Sequence, residues 1–373
     1  MADNKDKKVL KVPDLRFPEF TGEWQCKAIG KVAPLQRGFD LPTQNLVEGI
    51  YPVIYSNGIL QHHDKYKCEA PGLITGRSGT IGKFTYIDSG FYWPHNTSLW
   101  VTDFCGNCPK FIYYLYQTVH IEQFSTGSGV PTLNRNDVHR YKTFVPTAIV
   151  EQEKIAKFLS ILDERIATQN KIIEDLKKLK SAIIEKLYSE IQGKEYSFGQ
   201  LFEVVNERNK QMEYSNILSA SQEKGMVNRD DLNLDIQFER SNINTYKIVM
   251  AGDYVIHLRS FQGGFAFADK LGVCSPAYTI LRPNSLLEYG YLSYYFTSNR
   301  FIKSLIIVTY GIRDGRSINV EEWLNMKIAI PSKGQQFHIL KVLKSIDDKI
   351  ENEEIYATCL SNQKQYLLRQ MFI

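Results

Sequence analysis

The sequence predicts an α+β (mixed α/β) protein with an internal pseudo-two-fold repeat: two strand-rich globular blocks, each followed by a long helix, the two helices pairing as an antiparallel coiled coil. Three observations lead there. Residues 151–191 contain no Gly or Pro and carry apolar residues in steps of four and three: Ile155, Leu159, Leu162, Ile166, Ile173, Leu176, Ile183 and Leu187. That is the seam of a helix packed lengthwise on another helix. The seam returns near the end of the chain as Ile339, Leu343, Ile346, Ile350, Ala357, Leu360, Leu367 and Met371, each member 184 residues after its counterpart (339 minus 155, 343 minus 159). Asp163 and Asp347 repeat at the same offset, and so do the polar breaks Gln169 with Glu353 and Lys180 with Lys364. A repeat that preserves its own defects is a duplicated plan.

In chain order, residues 1–20 read as a loose polar arm. The first block spans residues 21–149, with short strand candidates bounded by turn residues in YPVIYS, GLITG, KFTYI and TSLWV. PKFIYYLYQTV suits a helix, and a buried strand is the alternative for so apolar a run. TLNRNDVHRYKTFVP reads as an extended run into Pro146. The first long helix covers residues 150–192, about 60 Å at ~1.5 Å per residue. The second block, 193–333, offers strands in YKIVM, DYVIHLRS, GFAFA and AYTIL, and a helix from Leu287 to Phe301. The second long helix covers residues 334–373. Asn134 and Asn319 correspond, as do Pro146 and Pro331 (both 185 apart), so a one-residue indel precedes the helices. Identity inside the blocks is low, so one frame carries two different surfaces.

The polar seam positions suggest a register. Antiparallel layering that sets Lys180 against Glu353 also sets Gln169 against Lys364, and polar seam residues commonly fix register at some cost in stability. The plainer expectation is that both lysines extend to solvent. Exposed apolar residues on the outer helix faces, Phe158 and Ile172 among them, suit a partner or the blocks themselves.

Composition narrows the function classes. With 373 residues, 43% apolar residues and a net charge of +4 from 45 basic and 41 acidic residues, the chain has room for several cores and only local basic patches. No apolar run reaches membrane-spanning length and the N-terminus lacks a signal-peptide core, so a cytoplasmic protein is expected. Six scattered cysteines fit reduced thiols.

Several loops could approach a ligand. Gly76-Arg77-Ser78-Gly79-Thr80-Ile81-Gly82-Lys83 follows a strand but lacks the spacing and the Lys-Ser/Thr pair of a phosphate-binding loop. It is either a plain glycine hairpin or a turn that presents Arg77, Ser78 and Lys83. Arg259, Ser260 and Gln262 occupy the equivalent place in the second block. Arg37, Arg135, Arg140, Arg313 and Arg316 are further basic candidates that surface charge would also explain. Arginine suits guanine edges, Gln suits adenine, and Ser and Lys suit phosphates. Cys105-Gly-Asn-Cys108 could be half of a zinc or redox site, but two ordinary loop cysteines explain it more simply, and no metal site is expected. No Asn-Pro-Pro-aromatic motif, cofactor-binding glycine loop or nuclease-like carboxylate cluster is found.

Taken together and in order, VPTAIVEQEKIAKFLSILDERI with its echo IPSKGQQFHILKVLKSIDDKI, then GSGVPTLNRNDV, GDYVIHLRSFQGG and GIRDGRSINVEEW, resemble the specificity (S) subunits of type I restriction-modification systems over essentially the whole chain. Gln335-Gln336 departs from the usual Glu-Gln of the helix junction, with little effect expected, since an amide can still hydrogen-bond near a helix start. The resemblance implies two target-recognition domains, each reading one half of a bipartite, asymmetric site on double-stranded DNA. It implies paired helices that set the spacing and dock two methyltransferase (M) subunits, with restriction (R) subunits joining. It also implies no catalytic centre in this chain and no cofactor of its own, S-adenosylmethionine, ATP and Mg²⁺ belonging to the partners. A two-headed coiled-coil scaffold that never touches DNA would use the same helices.

Overall fold

In the computed structural model of the chain, residues 11–127, 129–221, 224–231, 240–257, 264–310 and 317–373 are described. Contacts divide the chain into two units, residues 1–170 with 355–373, and residues 171–354. The helices are α1 (Pro109–Thr118), α2 (Arg135–Arg140), α3 (Ile149–Ser189), α4 (Phe198–Leu201), α5 (Tyr291–Tyr295), α6 (Asn299–Ser304), α7 (Val320–Asn325) and α8 (Lys333–Met371). The unit boundaries fall within α3 and α8.

In the first unit, strand Gln25–Ala28 pairs antiparallel with Lys142–Val145 and so ties the start of the block to the residues before α3. Two four-stranded sheets follow. One has the order Leu35–Arg37, Ser98–Val101, Gly72–Gly76, Phe84–Ile87; the other Gly58–His63, Tyr51–Tyr55, Phe91–Pro94, Cys68–Glu69. The run that suited either a helix or a buried strand is helix α1, with Pro at its first position, and it buries Phe111, Ile112, Tyr114 and Leu115. Its core also takes in Ile155, Leu159 and Leu162 from α3 and Leu360, Leu367 and Met371 from α8. The run expected to be extended before Pro146 instead contains α2. The Asn134 side chain accepts from Asn136 N and starts the helix, and only Lys142–Val145 is a strand.

In the second unit, Lys194–Ser197 pairs antiparallel with Lys327–Ile330, repeating the closure of the first. Its four-stranded sheet runs Phe202–Val205, Thr279–Pro283, Tyr254–Ile256, Phe265–Phe267. The core is aromatic: Phe198 stacks on Trp323 at 4.3 Å, and Phe296 packs on Phe301 at 4.7 Å. Ile184, Tyr188, Ile339 and Leu343 complete it. The single helix expected from Leu287 to Phe301 is two. Gly290 enters α5 with φ +76°, and Ser298, in extended backbone, restarts the chain by accepting from Phe301 N.

The helices pair antiparallel inside each unit. In the first, the early part of α3 meets the end of α8, with Lys364 Nζ 2.6 Å from Asp163. In the second, the late part of α3 meets the start of α8, with Lys180 paired to Asp347 and Lys177 Nζ 2.6 Å from Glu354. Ile155, Leu159, Ile339, Leu343, Ile350, Leu360 and Leu367 are buried, while Ile166, Ile173, Leu176 and Ile346 are half-buried. The register expected from the seam is corrected here. Lys180 takes Asp347 and not Glu353, which pairs with Lys349 one turn away. Lys364 takes Asp163 and not Gln169. A carboxylate compensates a half-buried ammonium better than an amide does. Each Asp also accepts a tyrosine hydroxyl, from Tyr114 at 2.8 Å and from Tyr294 at 2.7 Å.

The helix starts are wired alike. Gln152 Nε2 donates to Pro146 O at 3.0 Å while its Oε1 accepts from Cys108 N at 2.9 Å. Gln336 does the same with Pro331 O at 3.0 Å and Glu288 N at 2.8 Å. The preceding residue differs. Glu151 binds Arg16 through both oxygens, at 2.7 and 2.8 Å, and accepts from Trp24 Nε1 at 3.1 Å. Gln335 only caps its own helix, accepting from Ser332 N at 3.2 Å. The described part of the arm is therefore docked rather than loose: Phe17 packs edge-on against Phe158 and Leu15 N donates to Gln370 O at 2.8 Å.

Candidate nucleic-acid interface

The first sheet brings several separate loops to one edge. Arg37 pairs with Leu99, Gly76 with Ser98 and Thr75 with Phe84. Arg37, Arg77 and Lys83 therefore leave their strands at the same end. Residue 76 must be glycine, since a Cβ there would lie 1.7 Å from Thr80 O. Gly79 and Gly82 continue the turn at φ +77° and +85°. The loop is laced to the segment before α2 by Gly79 N to Pro131 O at 3.0 Å and Leu133 N to Arg77 O at 2.8 Å, with Ser78 bridging Thr132. Arg135, exposed, follows two residues later at the start of α2. Arg37, Arg77, Ser78 and Lys83 thus share one rim, and Arg135 starts the helix that follows the segment laced to it.

Arg140 is not part of that rim. It pairs with Asp137, and its neighbour His139 accepts from Leu35 N at 2.8 Å, at the other end of the strand from Arg37. Burial pushes the His139 imidazole below its ordinary pKa, helped by the nearby Arg135 charge.

The rim also gathers residues that the sequence did not single out. Tyr55 packs against His95 at 4.3 Å between ring centres, and its hydroxyl donates to Gln61 Oε1 at 2.7 Å. Asp40 accepts from Arg37 at 3.1 Å and also from Asn96. These groups come from three strand ends far apart in sequence. The only local signal was the Asn57-Gly58 hairpin turn between Tyr51–Tyr55 and Gly58–His63.

In the second unit, Arg259, Ser260, Gln262, Arg313 and Arg316 lie outside the described residues. After Tyr254–Ile256, His257 N donates to Gly264 O at 2.8 Å. Arg282 is committed to Asp253, at 3.0 and 3.1 Å, and to Glu207 at 3.3 Å. Arg208 and Lys210 are exposed and line an open groove of about 660 Å³ with Asn206, Glu207 and Ile248. They are basic candidates that the sequence alone did not distinguish from other surface charges.

Residues 21–178 and again 192–358 match the type I restriction modification DNA specificity domain. The chain belongs to this specificity-domain family. Two curated relatives from Methanocaldococcus jannaschii are similar. The MjaVIII type I restriction enzyme specificity subunit is 27% identical over 281 residues, covering 64% of each chain. The putative MjaX specificity subunit is 25% identical over 265 residues, covering 64% of this chain and 62% of the relative. The chain thus spans a little under two thirds of the relatives it matches. In fold, it resembles the type I S subunit from M. genitalium, with a TM-score of 0.58 at 16% identity over 97% of this chain and 99% of that one. It also resembles a chain from a study of type I R-M complex assembly and conformational transition, with a TM-score of 0.58 at 14% identity over 92% of this chain and 96% of that one.

Within this specificity-domain frame the Cys105–Cys108 pair has a structural place. Cys105 adopts φ +49°, and Cys108 N donates to the junction residue Gln152. Burial raises the Cys105 thiol pKa, which works against a reactive thiolate. Among the described residues no group of three or more His, Cys, Asp and Glu could hold a metal, and no helix is long and apolar enough to cross a membrane.

Proposed function

We propose that the chain is the DNA-specificity subunit of a type I restriction-modification complex and works in the cytoplasm. Each recognition domain reads one half of a bipartite, asymmetric site on duplex DNA. The paired helices set the spacing of the half-sites and dock two methyltransferase subunits, and restriction subunits join them. The chain has no catalytic centre of its own; S-adenosylmethionine, ATP and Mg²⁺ act on the partners.

The observation that carries this reading is the rim formed by Arg37, Arg77, Ser78 and Lys83, with Arg135 at the start of the adjoining helix. Tight glycine turns let the backbone approach a duplex closely, arginine can pair with guanine edges, and lysine and serine suit phosphates. The duplicated frame with dissimilar contents supports two different half-sites. Adenine-methylation mapping in the host, with this gene intact and deleted, tests it. Loss of methylation at one split motif is expected. An unchanged map, together with no sequence preference when the purified complex is offered random duplexes, would favour a scaffold.

A further inference from the structure

The turn Leu305–Val308 divides sharply by exposure. Leu305 and Val308 are buried at 3% and 4%, while Ile306 and Ile307 between them are 73% and 70% exposed. In a 3₁₀ turn, positions three apart share a face, so anchoring the outer two projects the middle pair outward. The first unit has the same turn at Ile121–Phe124, with Glu122 and Gln123 in the middle. The surroundings match. Ser125–Thr126 pairs with Thr132–Leu133 before the Asn134 cap, and Thr309–Tyr310 pairs with Ser317–Ile318 before the Asn319 cap. In the first unit this turn touches the glycine loop of the rim, since a Cβ on Gly82 would lie 2.7 Å from Glu122 Oε2. By the internal repeat, Ile306 and Ile307 hold in the second unit the place that Glu122 and Gln123 hold beside the glycine loop in the first.

Single exposed apolar residues are ordinary. Two adjacent isoleucines, where the sister copy carries Glu and Gln, ask for an apolar counterpart. The base edges of the major groove offer one such group, the C5-methyl of thymine. We propose that Ile306 and Ile307 contact thymine methyl groups in the second half-site and so specify A·T pairs there. This rests on the DNA-reading function proposed above.

The test uses the full complex and its mapped target, with each thymine of the target replaced in turn by deoxyuridine, which removes only the methyl. Unsubstituted complex should bind about threefold to tenfold more weakly when one or two second-half thymines are replaced, the size expected for losing a buried methyl contact. The I306Q/I307Q variant, which restores the polarity of the first copy, should bind both duplexes alike there and keep its response to first-half replacements. A second half-site without thymine, or specific binding indifferent to deoxyuridine in that half, overturns the inference. So does a variant that keeps the sensitivity while losing methyltransferase subunits on a sizing column, because the isoleucines would then cover a protein. Absence of any specific binding by the unsubstituted complex would instead defeat the underlying DNA-reading proposal.

Discussion

Lys364 Nζ lies 2.6 Å from Asp163 Oδ1, and the pair Lys180 and Asp347 repeats this contact at the repeat-related positions. Each carboxylate also accepts a tyrosine hydroxyl from its own block, Tyr114 at 2.8 Å and Tyr294 at 2.7 Å. Each Asp therefore joins α3, α8 and a recognition block through one side chain. Asp163→Ala leaves an ammonium only 15% exposed without its partner. We expect a loss of about 2 kcal/mol in a denaturant titration. The double variant D163A/K364M should recover part of it, since the stranded charge is gone. Equal losses in single and double variants would contradict this account.

Gln152 is 3% exposed and bonds at both ends of its amide. Gln152→Leu strands Pro146 O and Cys108 N, and should cost about 2–6 kcal/mol at roughly 1–3 per buried unsatisfied group. Gln335→Ala, removing only a local cap, should cost about 1 kcal/mol or less. Thermal midpoints of the two variants, compared side by side, check the ranking.

His139 supplies a pH dependence with a definite sign. Burial lowers its pKa in the folded chain, so the unfolded state binds the proton more readily. Its contribution is present above the unfolded value of about 6.5 and is lost as pH falls through the lower folded value. Denaturant midpoints should therefore drop on acidification below that point. The drop should be shallower in His139→Gln; an unchanged slope would mean that other groups govern it.

Arg77 and Lys83 should separate in their effects on binding. Arg77→Ala is expected to weaken binding by about 1–3 kcal/mol and to relax specificity within the first half-site alone. Lys83→Ala should weaken all sequences evenly and reduce the salt slope by about one. Competition binding across a salt series distinguishes the two, and a Lys83 effect confined to one base pair would reverse its assignment.

The long helices were legible because a helical seam repeats every few residues, and duplication made even its polar breaks visible. The ion-pair register was not. Asp163 and Asp347 stood out as a repeated pair, but their partners lie 201 and 167 residues away (364 minus 163, 347 minus 180), and only packing chooses among lysines one turn apart. The glycine loop announced itself because Gly76, Gly79 and Gly82 serve backbone geometry that few other residues tolerate. Tyr55, His95 and Asp40 stayed hidden because strand pairing, not sequence proximity, assembles them. Helix α2 was hidden by its shortness: six residues give almost no periodicity, and only the Asn134 cap marked it.

The first unit takes residues from both ends of the chain, 1–170 and 355–373, whereas the second is the unbroken stretch 171–354. Leu360, Leu367 and Met371, which belong to the first core, are therefore translated only after the whole second unit. A nascent chain emerging from the ribosome can finish its second recognition block first. The earlier block is expected to complete its core only once the last turns of α8 are made. Truncation within those turns should accordingly damage the half of the protein that was synthesised first.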